Sequence, residues 1–238
     1  MDTSLGIIAA TAASIGFIHT VIGPDHYLPF VMIGRAQRWG YGKLIAVTVL
    51  CGLGHVLSSV ILGFIGVALG IAVGELEGVE ATRGEIASYL LIGLGLAYGV
   101  WGIYYALREK THTHTHIHSD GSVHEHEHNH LSGHVHIHGD VERRNNVTLW
   151  MIFVIFVLGP CEPLIPLIMY PAAQHSPLGV ALVSAIFGAT TILTMTAIAI
   201  ALYSGVKIIN LGRLERYAHA LAGFMIALSG SAIIFLGV

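Results

Sequence analysis

The sequence predicts an all-α integral membrane protein in which six transmembrane helices form two inverted three-helix repeats. The first observation is composition: 54% of the 238 residues are apolar and 11% are charged, whereas a soluble domain carries about 25% charged residues. The second is the length of the uncharged stretches. Residues 44–73 and 180–203 contain no Asp, Glu, Lys or Arg, and roughly 20 apolar residues suffice for a helix to cross a bilayer. The third is the distribution of the basic residues.

Six apolar segments follow one another along the chain, and proline interrupts two of them. The expected spans are residues 5–33 (interrupted), 44–73, 86–107, 148–169 (interrupted), 178–203 and 214–236. They divide the chain into a membrane repeat over residues 1–107, a polar insert over 108–147 that we expect to be disordered, and a second membrane repeat over 148–238. A soluble chain of this length could not bury so many apolar segments.

The basic residues are expected almost entirely on one side of the bilayer. The first, third and fifth connections hold ten of the eleven, and Arg83 in the second connection is the exception. Because cytoplasmic connections of membrane proteins are enriched in Lys and Arg, we expect both termini outside and the insert in the cytoplasm, in the plasma (inner) membrane. The net charge of −3 gives no reason to expect a nucleic-acid partner.

The two interrupted segments break in the same way. The first breaks at Gly-Pro-Asp-His-Tyr-Leu-Pro (residues 23–29) and the fourth at Gly-Pro-Cys-Glu-Pro-Leu-Ile-Pro (residues 159–166). Each has Gly-Pro, then two residues that can bind a metal or a proton, then another proline, and each opens a half of three helices. In the expected orientation the two broken helices run in opposite directions. Paired breaks of this kind mark the binding site of secondary transporters.

Residues with metal-binding side chains lie at membrane depth near these breaks. On an unbroken helix His19 and His26 would share a face, because seven residues make nearly two turns. A carboxylate at the bilayer centre costs roughly 2.5–3.5 kcal/mol, so it normally faces a cavity, a partner or an ion. Imidazole with a carboxylate suits nickel, cobalt, zinc or iron(II) better than magnesium or calcium. The expected metal ligands are His19, Asp25, His26, His55, Glu162 and Cys161.

Histidine is concentrated in the polar insert. Eleven of the 16 histidines fall between His112 and His138. Such a segment cannot build a core. We expect it to bind metal weakly at many imidazoles and so raise the local metal concentration, and a pH-responsive linker is the alternative.

The motifs around these residues resemble those of the nickel/cobalt transporters. His19-x5-Asp25-His26 is similar to their His-x4-Asp-His signature with one extra residue. The Leu-Gly-His segment at His55, followed by two serines, resembles their Leu-Gly-His-Ser-Ser motif with two residues inserted. Residues 158–162 stand where that family has a Leu-Gly-Phe-Asp-Thr type motif, and the His-rich loop is similar to that of nickel/cobalt efflux proteins. The resemblance implies secondary transport of Ni²⁺ or Co²⁺ through a selectivity site of His19, Asp25, His26 and His55.

We expect export rather than import, because a cytoplasmic metal-collecting segment loads a carrier from the side to be emptied. Asp25 and Glu162 could also carry protons, which favours exchange against H⁺. The sequence contains no GxxxxGK[ST] motif, so we expect no direct use of ATP. We also expect no enzymatic activity and no organic cofactor.

Two alternatives stay open. Gly-Pro-Cys-x-Pro at residues 159–163 also resembles the transmembrane thiol–disulfide carriers of cytochrome c biogenesis, which have one redox cysteine at each of two matching broken helices. Here Asp25 stands at the position that matches Cys161, and Cys51 lies in the next helix. These cysteines could still pair if their Cα atoms came within roughly 4.4–6.8 Å. The other alternative is a membrane protein that senses or stores metal.

Overall fold

The computed structural model describes residues 3–108, 112–117, 123–128, 140–174, 176–209 and 212–236. These ranges contain eight α-helices, two 3₁₀ turns and two strands. The helices are α1 (Thr3–Ile22), α2 (Leu28–Ala36), α3 (Tyr41–Leu69), α4 (Val73–Arg108), α5 (Asp140–Leu158), α6 (Leu164–Ala173), α7 (Pro177–Ile208) and α8 (Ala218–Leu236). The 3₁₀ turns are Pro24–His26 and Gly212–Tyr217, and the strands are β1 (His112–Ile117) and β2 (Val123–His128).

The chain is a multi-pass membrane protein. Within the described ranges, four helical segments are long and apolar enough to cross a bilayer, namely α3, α4, α7 and Leu214–Phe235. α1 and α5 hold shorter apolar stretches, and a short helix follows each of them after a break. Large apolar side chains such as Leu178 and Leu193 remain exposed, as expected of a surface that faces lipid rather than water.

The first break follows from its Gly-Pro pair. Pro24 lacks an N–H group and disfavours α conformation in the residue before it. Gly23 is accordingly extended (φ −80°, ψ 98°), and α1 ends at Ile22. The His26 N–H then bonds to the Gly23 carbonyl (3.2 Å), so a single 3₁₀ turn precedes α2.

The second break resembles the first. α5 ends at Leu158, and the Gly159 N–H closes its last turn by donating to the Ile155 carbonyl (2.8 Å). α6 begins at Leu164, whose N–H bonds to the Cys161 carbonyl (2.9 Å). Both breaks therefore leave short stretches of non-helical backbone inside the bundle, which membrane proteins tolerate only where protein contacts satisfy the polar groups.

The third segment is longer than the sequence predicts. α4 begins at Val73 rather than near residue 86, and only residues 70–72 separate it from α3. Gly70 ends α3 in the left-handed conformation (φ 67°), which glycine adopts without penalty, so the chain reverses at once. The expected connection between the second and third spans holds four acidic residues. All of them lie on α4 instead, and they are Glu75, Glu77, Glu80 and Glu85.

The polar insert, expected to be disordered, contains an antiparallel strand pair. β1 pairs with β2 in a register that sets His114 opposite His126 and Thr115 opposite Glu125. Histidine alternates with Thr and Ile in β1 and with Val and Glu in β2, and the β-branched residues Thr, Ile and Val favour extended backbone. Residues 109–111, 118–122 and 129–139 of the insert lie outside the described part of the chain.

Three of the contacts between helices have a counterpart when the two halves are exchanged. α1 packs on α7 as α5 packs on α3, α2 packs on α7 as α6 packs on α3, and α2 packs on α8 as α6 contacts α4. α4 and α8 meet along a seam of small residues, where a Cβ added to Gly223 would lie 2.2 Å from the Gly99 nitrogen. Small residues of this kind let helix backbones approach closely in a membrane.

Candidate metal centre

Three histidines converge inside the helix bundle. His19 lies in the last turn of α1, His26 closes the 3₁₀ turn after it, and His55 lies in the middle of α3. The ring centroids are 4.7 Å apart for His19 and His26, 5.1 Å for His26 and His55, and 6.5 Å for His19 and His55. One ring nitrogen from each lies within 4.8 Å of the other two. We call these residues the three-histidine site.

The Nε2 atoms of this site are buried and have no hydrogen-bond partner among the described residues. His26 and His55 are each 3% exposed, and His19 is partly buried. Among the described residues, none forms a hydrogen bond to the Nε2 atom of any of the three rings. An unsatisfied buried polar atom costs about 1–3 kcal/mol, and here three such atoms lie together. A bound transition-metal ion would satisfy all three, because imidazole nitrogen is a common metal ligand.

Both helix breaks orient one of these rings through a backbone carbonyl. The His26 Nδ1 atom lies 3.2 Å from the Gly23 carbonyl oxygen and 3.3 Å from Asp25 Oδ1. The His55 Nδ1 atom lies 3.3 Å from the Phe156 carbonyl oxygen, near the end of α5. When Nδ1 carries the proton and donates it to such an acceptor, Nε2 keeps its lone pair for a metal. The tautomer that binds metal is therefore the one that both breaks favour.

The spacing of the nitrogens is close to what one ion requires. Zn²⁺ binds imidazole nitrogen at about 2.0–2.1 Å in a tetrahedral arrangement, which sets its nitrogen ligands roughly 3.3 Å apart. The three nitrogens lie within 4.8 Å of one another, so an ion would draw them about 1.5 Å closer at most. Rotation of the histidine side chains can supply a movement of that size.

Each break contains a glycine that lies close to a histidine ring of the three-histidine site. A Cβ added to Gly23 would lie 2.5 Å from His26 Nδ1, and one added to Gly159 would lie 3.1 Å from His55 Nδ1. Any side chain at Gly23 would therefore displace the His26 ring or the break itself. The glycine of each Gly-Pro pair is needed for this close approach as well as for the break.

Replacing Gly23 with alanine is expected to weaken Zn²⁺ binding roughly 10–100-fold, the range typical of disturbed support around a metal ligand. The affinity is measured by competition with a chelating dye, in a protein whose insert histidines (His112 to His138) are replaced by asparagine. We call this variant the histidine-free insert background. Gly6→Ala on α1 is the matched control, because its added Cβ meets nothing within 4 Å. An unchanged affinity in Gly23→Ala would contradict the assigned geometry.

The other ligands expected from the sequence do not belong to the group of nitrogens that could share one ion. Asp25 contacts His26 Nδ1 and thus supports one ring of the three-histidine site. Cys161 is fully buried in an apolar cluster with Leu164 and Phe187. Glu162 is exposed. Among the described residues, neither Cys161 nor Glu162 belongs to the group that could share one ion.

A buried ion pair that the sequence does not single out lies beside the second break. Glu80 is fully buried on α4, and its carboxylate accepts from the Arg83 guanidinium one turn later. The other Glu80 oxygen accepts from the Ser59 hydroxyl (3.1 Å) and from the Cys161 N–H (3.0 Å). Arg83 Nη2 donates to the Ser58 hydroxyl (2.7 Å) and to the Val157 carbonyl (2.8 Å). We call Glu80 and Arg83 the α4 ion pair.

The α4 ion pair satisfies the backbone groups that the second break leaves free. The end of α5 has carbonyls without helical partners, and Arg83 bonds to one of them. The Cys161 N–H, on the other side of the break, donates to the Glu80 carboxylate. α4 approaches closely here, because a Cβ on Gly84 would lie 2.7 Å from Pro160 Cγ. The sequence does contain a signal for this pair, because Glu-x2-Arg spacing suits neighbouring side chains on a helix. These residues lie in the expected second connection, however, and not in an expected helix.

A comparison with known families shows to which family the chain belongs. The model of the family described as cytochrome c biogenesis protein transmembrane region matches residues 28–238. The chain belongs to this family. No curated protein and no solved structure gives a significant match.

This membership overturns the resemblance to the nickel/cobalt transporters, so that assignment is wrong. The resemblance depended on short ligand motifs with inserted residues, whereas the family match extends over most of the chain. Short histidine and aspartate motifs can arise wherever a broken helix holds polar groups at membrane depth. The match begins at residue 28, and His19, Asp25 and His26 lie before it.

The family match favours the thiol–disulfide alternative over nickel or cobalt transport. Both cysteines are free thiols and buried. Cys51 belongs to an apolar cluster that includes Met195 and Ile226, and Cys161 belongs to a different cluster. In this conformation neither thiol is exposed to a soluble partner.

Proposed function

We propose that this membrane protein carries a divalent transition-metal cation across the bilayer through the three-histidine site. Two observations support it: one ring nitrogen from each of the three histidines lies within 4.8 Å of the other two, and the buried Nε2 atoms have no hydrogen-bond partner among the described residues. The family match gives no support to nickel or cobalt as the cargo. The ligand chemistry favours an ion that accepts imidazole nitrogen, such as Zn²⁺ or Fe²⁺, as the cargo.

The site exchanges water ligands of the hydrated ion for nitrogen ligands inside an apolar bundle. The Asp25 carboxylate beside His26 Nδ1 places a negative charge next to the bound cation and makes the ring a better ligand. The α4 ion pair adds no net charge, because its two members neutralise each other. Mg²⁺ and Ca²⁺ prefer oxygen ligands, so they are poor competitors for this site.

Two inverted halves would give this site alternating access. The paired helix contacts and the two Gly-Pro breaks support such repeats. His19, His26 and His55 all belong to the first half, whereas the Phe156 carbonyl that orients His55 belongs to the second. A movement between the halves would change the orientation of His55, and with it the metal affinity. Binding and release on opposite sides follow from that coupling.

The direction of transport is part of the proposal. With both termini outside, the His-rich insert faces the cytoplasm and collects metal there, which favours export. Asp25 and Glu162 are the proposed proton carriers for exchange against H⁺. Asp25 contacts a ring of the metal site, so protonation there would weaken metal binding, as exchange requires.

Metal flux into proteoliposomes tests the proposal. The purified protein is reconstituted into vesicles that enclose a zinc-sensitive dye, and Zn²⁺ is added to the outer solution. In vesicles that contain wild-type protein, the dye signal is expected to rise faster than in protein-free vesicles. His26→Ala is expected to lose this Zn²⁺ flux. Mg²⁺ with a magnesium dye is the control cation. Zn²⁺ flux at the wild-type rate in His26→Ala would contradict the site.

Thiol–disulfide exchange is the second candidate, and the family membership favours it. In that reaction Cys51 and Cys161 would close a disulfide and pass two electrons and two protons to a disulfide acceptor. A dithiol donor would then reduce the pair again. The two thiols would first have to approach each other, because they lie in separate apolar clusters.

A double Cys51→Ser and Cys161→Ser variant separates the two candidates. Metal transport predicts that the variant keeps Zn²⁺ flux, because neither sulfur belongs to the three-histidine site. Thiol exchange predicts that only the wild type carries electrons from an external dithiol to a disulfide acceptor sealed inside vesicles. Electron transfer that requires both cysteines, with no Zn²⁺ flux in any variant, would establish the second candidate and exclude the first.

A further inference from the structure

A basic cavity lies at the end of α2, away from the three-histidine site. It has a volume of about 420 Å³ and opens between the end of α2, the end of α7 and the 3₁₀ turn Gly212–Tyr217. Among the described residues, Arg35, Arg38 and Lys207 line it together with one acidic residue, Glu215. The cavity therefore has an excess of positive charge and is unsuited to a metal cation.

The acidic residue is already neutralised. The Arg35 guanidinium binds Glu215 with two parallel hydrogen bonds of 2.9 Å, Nη1 to Oε1 and Nη2 to Oε2. The Arg35 Nε atom is buried and has no hydrogen-bond partner among the described residues. Arg38 and Lys207 form no ion pair with any side chain that the structure describes, although Lys207 Nζ lies over the Tyr41 ring, 5.0 Å from its centroid. Among the described residues, two positive charges without a counter-ion and one N–H donor therefore remain for a ligand.

Arg38 has a backbone conformation that arginine seldom adopts. Its φ is +53°, in the left-handed region that glycine prefers at the end of a helix. The Trp39 N–H bonds to the Gly34 carbonyl (2.8 Å) and the Arg38 N–H to the Arg35 carbonyl (3.3 Å), which is the pattern of a Schellman end. Backbone strain at non-glycine residues clusters at functional sites. Here that side chain lines the cavity.

The remaining wall of the cavity is apolar and exposed. Ile208 and Ile209, at the end of the membrane helix α7, are 84% and 55% exposed. Such a wall suits a ligand that combines an anionic group with hydrocarbon. The end of a membrane-spanning helix lies at the depth of lipid headgroups, and basic clusters there attract anionic lipids.

We propose that this cavity binds the phosphate headgroup of an anionic phospholipid. The phosphate would contact Arg38, Lys207 and the Arg35 Nε–H, and the glycerol and upper acyl chain would cover Ile208 and Ile209. The lipid would link the end of α2 to the connection between α7 and α8. The Arg35–Glu215 pair bridges the same two elements, so lipid binding would strengthen an existing contact between the halves.

Arg38→Gly tests the proposal with little risk to the fold, because glycine removes the charge and also suits the backbone. The protein is placed in nanodiscs of phosphatidylcholine, with or without phosphatidylglycerol, and its thermal unfolding is measured. Wild type is expected to unfold at a higher temperature with phosphatidylglycerol. Arg38→Gly is expected to lose roughly 2–4 °C of that increase while remaining at least as stable as wild type in phosphatidylcholine alone.

Two controls separate a specific site from general attraction. Lys43 lies over the Trp39 ring and outside the cavity lining, so Lys43→Gln is expected to keep the full lipid-dependent increase. Inorganic phosphate added to phosphatidylcholine nanodiscs is expected to give no increase. An equal increase in Arg38→Gly and wild type, an equal loss in Lys43→Gln, or a full increase with inorganic phosphate alone would each overturn the lipid assignment.

Discussion

His26→Ala is expected to abolish tight Zn²⁺ binding by the purified protein in the histidine-free insert background. The His26 ring lies between the other two, with centroid distances of 4.7 Å to His19 and 5.1 Å to His55. Removing it leaves two imidazoles whose centroids are 6.5 Å apart. Loss of supporting groups around a metal ligand costs 10–100-fold in affinity, so loss of a ligand should cost at least about 100-fold.

His219→Ala is the matched control for this loss. His219 is a histidine of the membrane region, and its Nδ1 atom hydrogen-bonds the Tyr98 hydroxyl at 2.7 Å. It does not belong to the three-histidine site, so its removal should leave the Zn²⁺ affinity within about threefold of wild type, while loss of its hydrogen bond costs about 1 kcal/mol of stability. Equal affinities for His26→Ala and His219→Ala would show that the measured Zn²⁺ binds elsewhere.

Arg83→Ala is expected to cause the largest loss of stability, about 3–5 kcal/mol. The substitution leaves the fully buried Glu80 carboxylate without its counter-ion, and it removes the donor to the Val157 carbonyl at the second break. Equilibrium unfolding in mixed micelles titrated with denaturing detergent measures the loss. Arg108 lies over the Tyr104 ring at the end of α4, and Arg108→Ala should cost less than about 1 kcal/mol.

The double variant Glu80→Gln with Arg83→Ala tests whether an uncompensated charge causes this loss. A neutral amide can still accept from Ser59 and from the Cys161 N–H, the two donors that Glu80 Oε2 meets. The double variant should therefore be more stable than Arg83→Ala alone. The ion pair does not stabilise the second break if the double variant is no more stable than Arg83→Ala, or if Arg83→Ala unfolds like wild type.

The local features of the site can be predicted from the sequence. Proline acts on its own helical turn and on the residue before it, so the breaks at Gly23-Pro24 and Gly159-Pro160 follow directly. His19 and His26 lie close to each other because they flank one break. The approach of His55 is different, because it requires α3 to pack beside that break, and only ligand chemistry indicated it in advance.

Features that require long-range packing could not be predicted. Glu80 belongs to a cluster of acidic residues that is typical of an exposed connection, and only the early start of α4 places it against the second break. Glu162 follows Cys161 directly in the break, yet it is exposed while Cys161 is buried. Side-chain direction in such a turn depends on the surrounding helices, and the composition of the break does not determine it.

The family assignment also shows the limits of short motifs. The histidine and aspartate residues near the first break predict a ligand set by their chemistry. They do not determine ancestry, because a few ligands at a broken helix can arise in unrelated membrane proteins. The family match depends on the whole pattern of residues 28–238, which carries more information than the spacing of His19, Asp25 and His26.

Anomalous X-ray diffraction from Zn²⁺-loaded crystals, with data above and below the zinc absorption edge, tests the three-histidine site most directly. We expect one strong peak inside the bundle, about 2.0–2.1 Å from the Nε2 atoms of His19, His26 and His55. A peak confined to the His-rich insert, with none among the three histidines, would contradict the proposal.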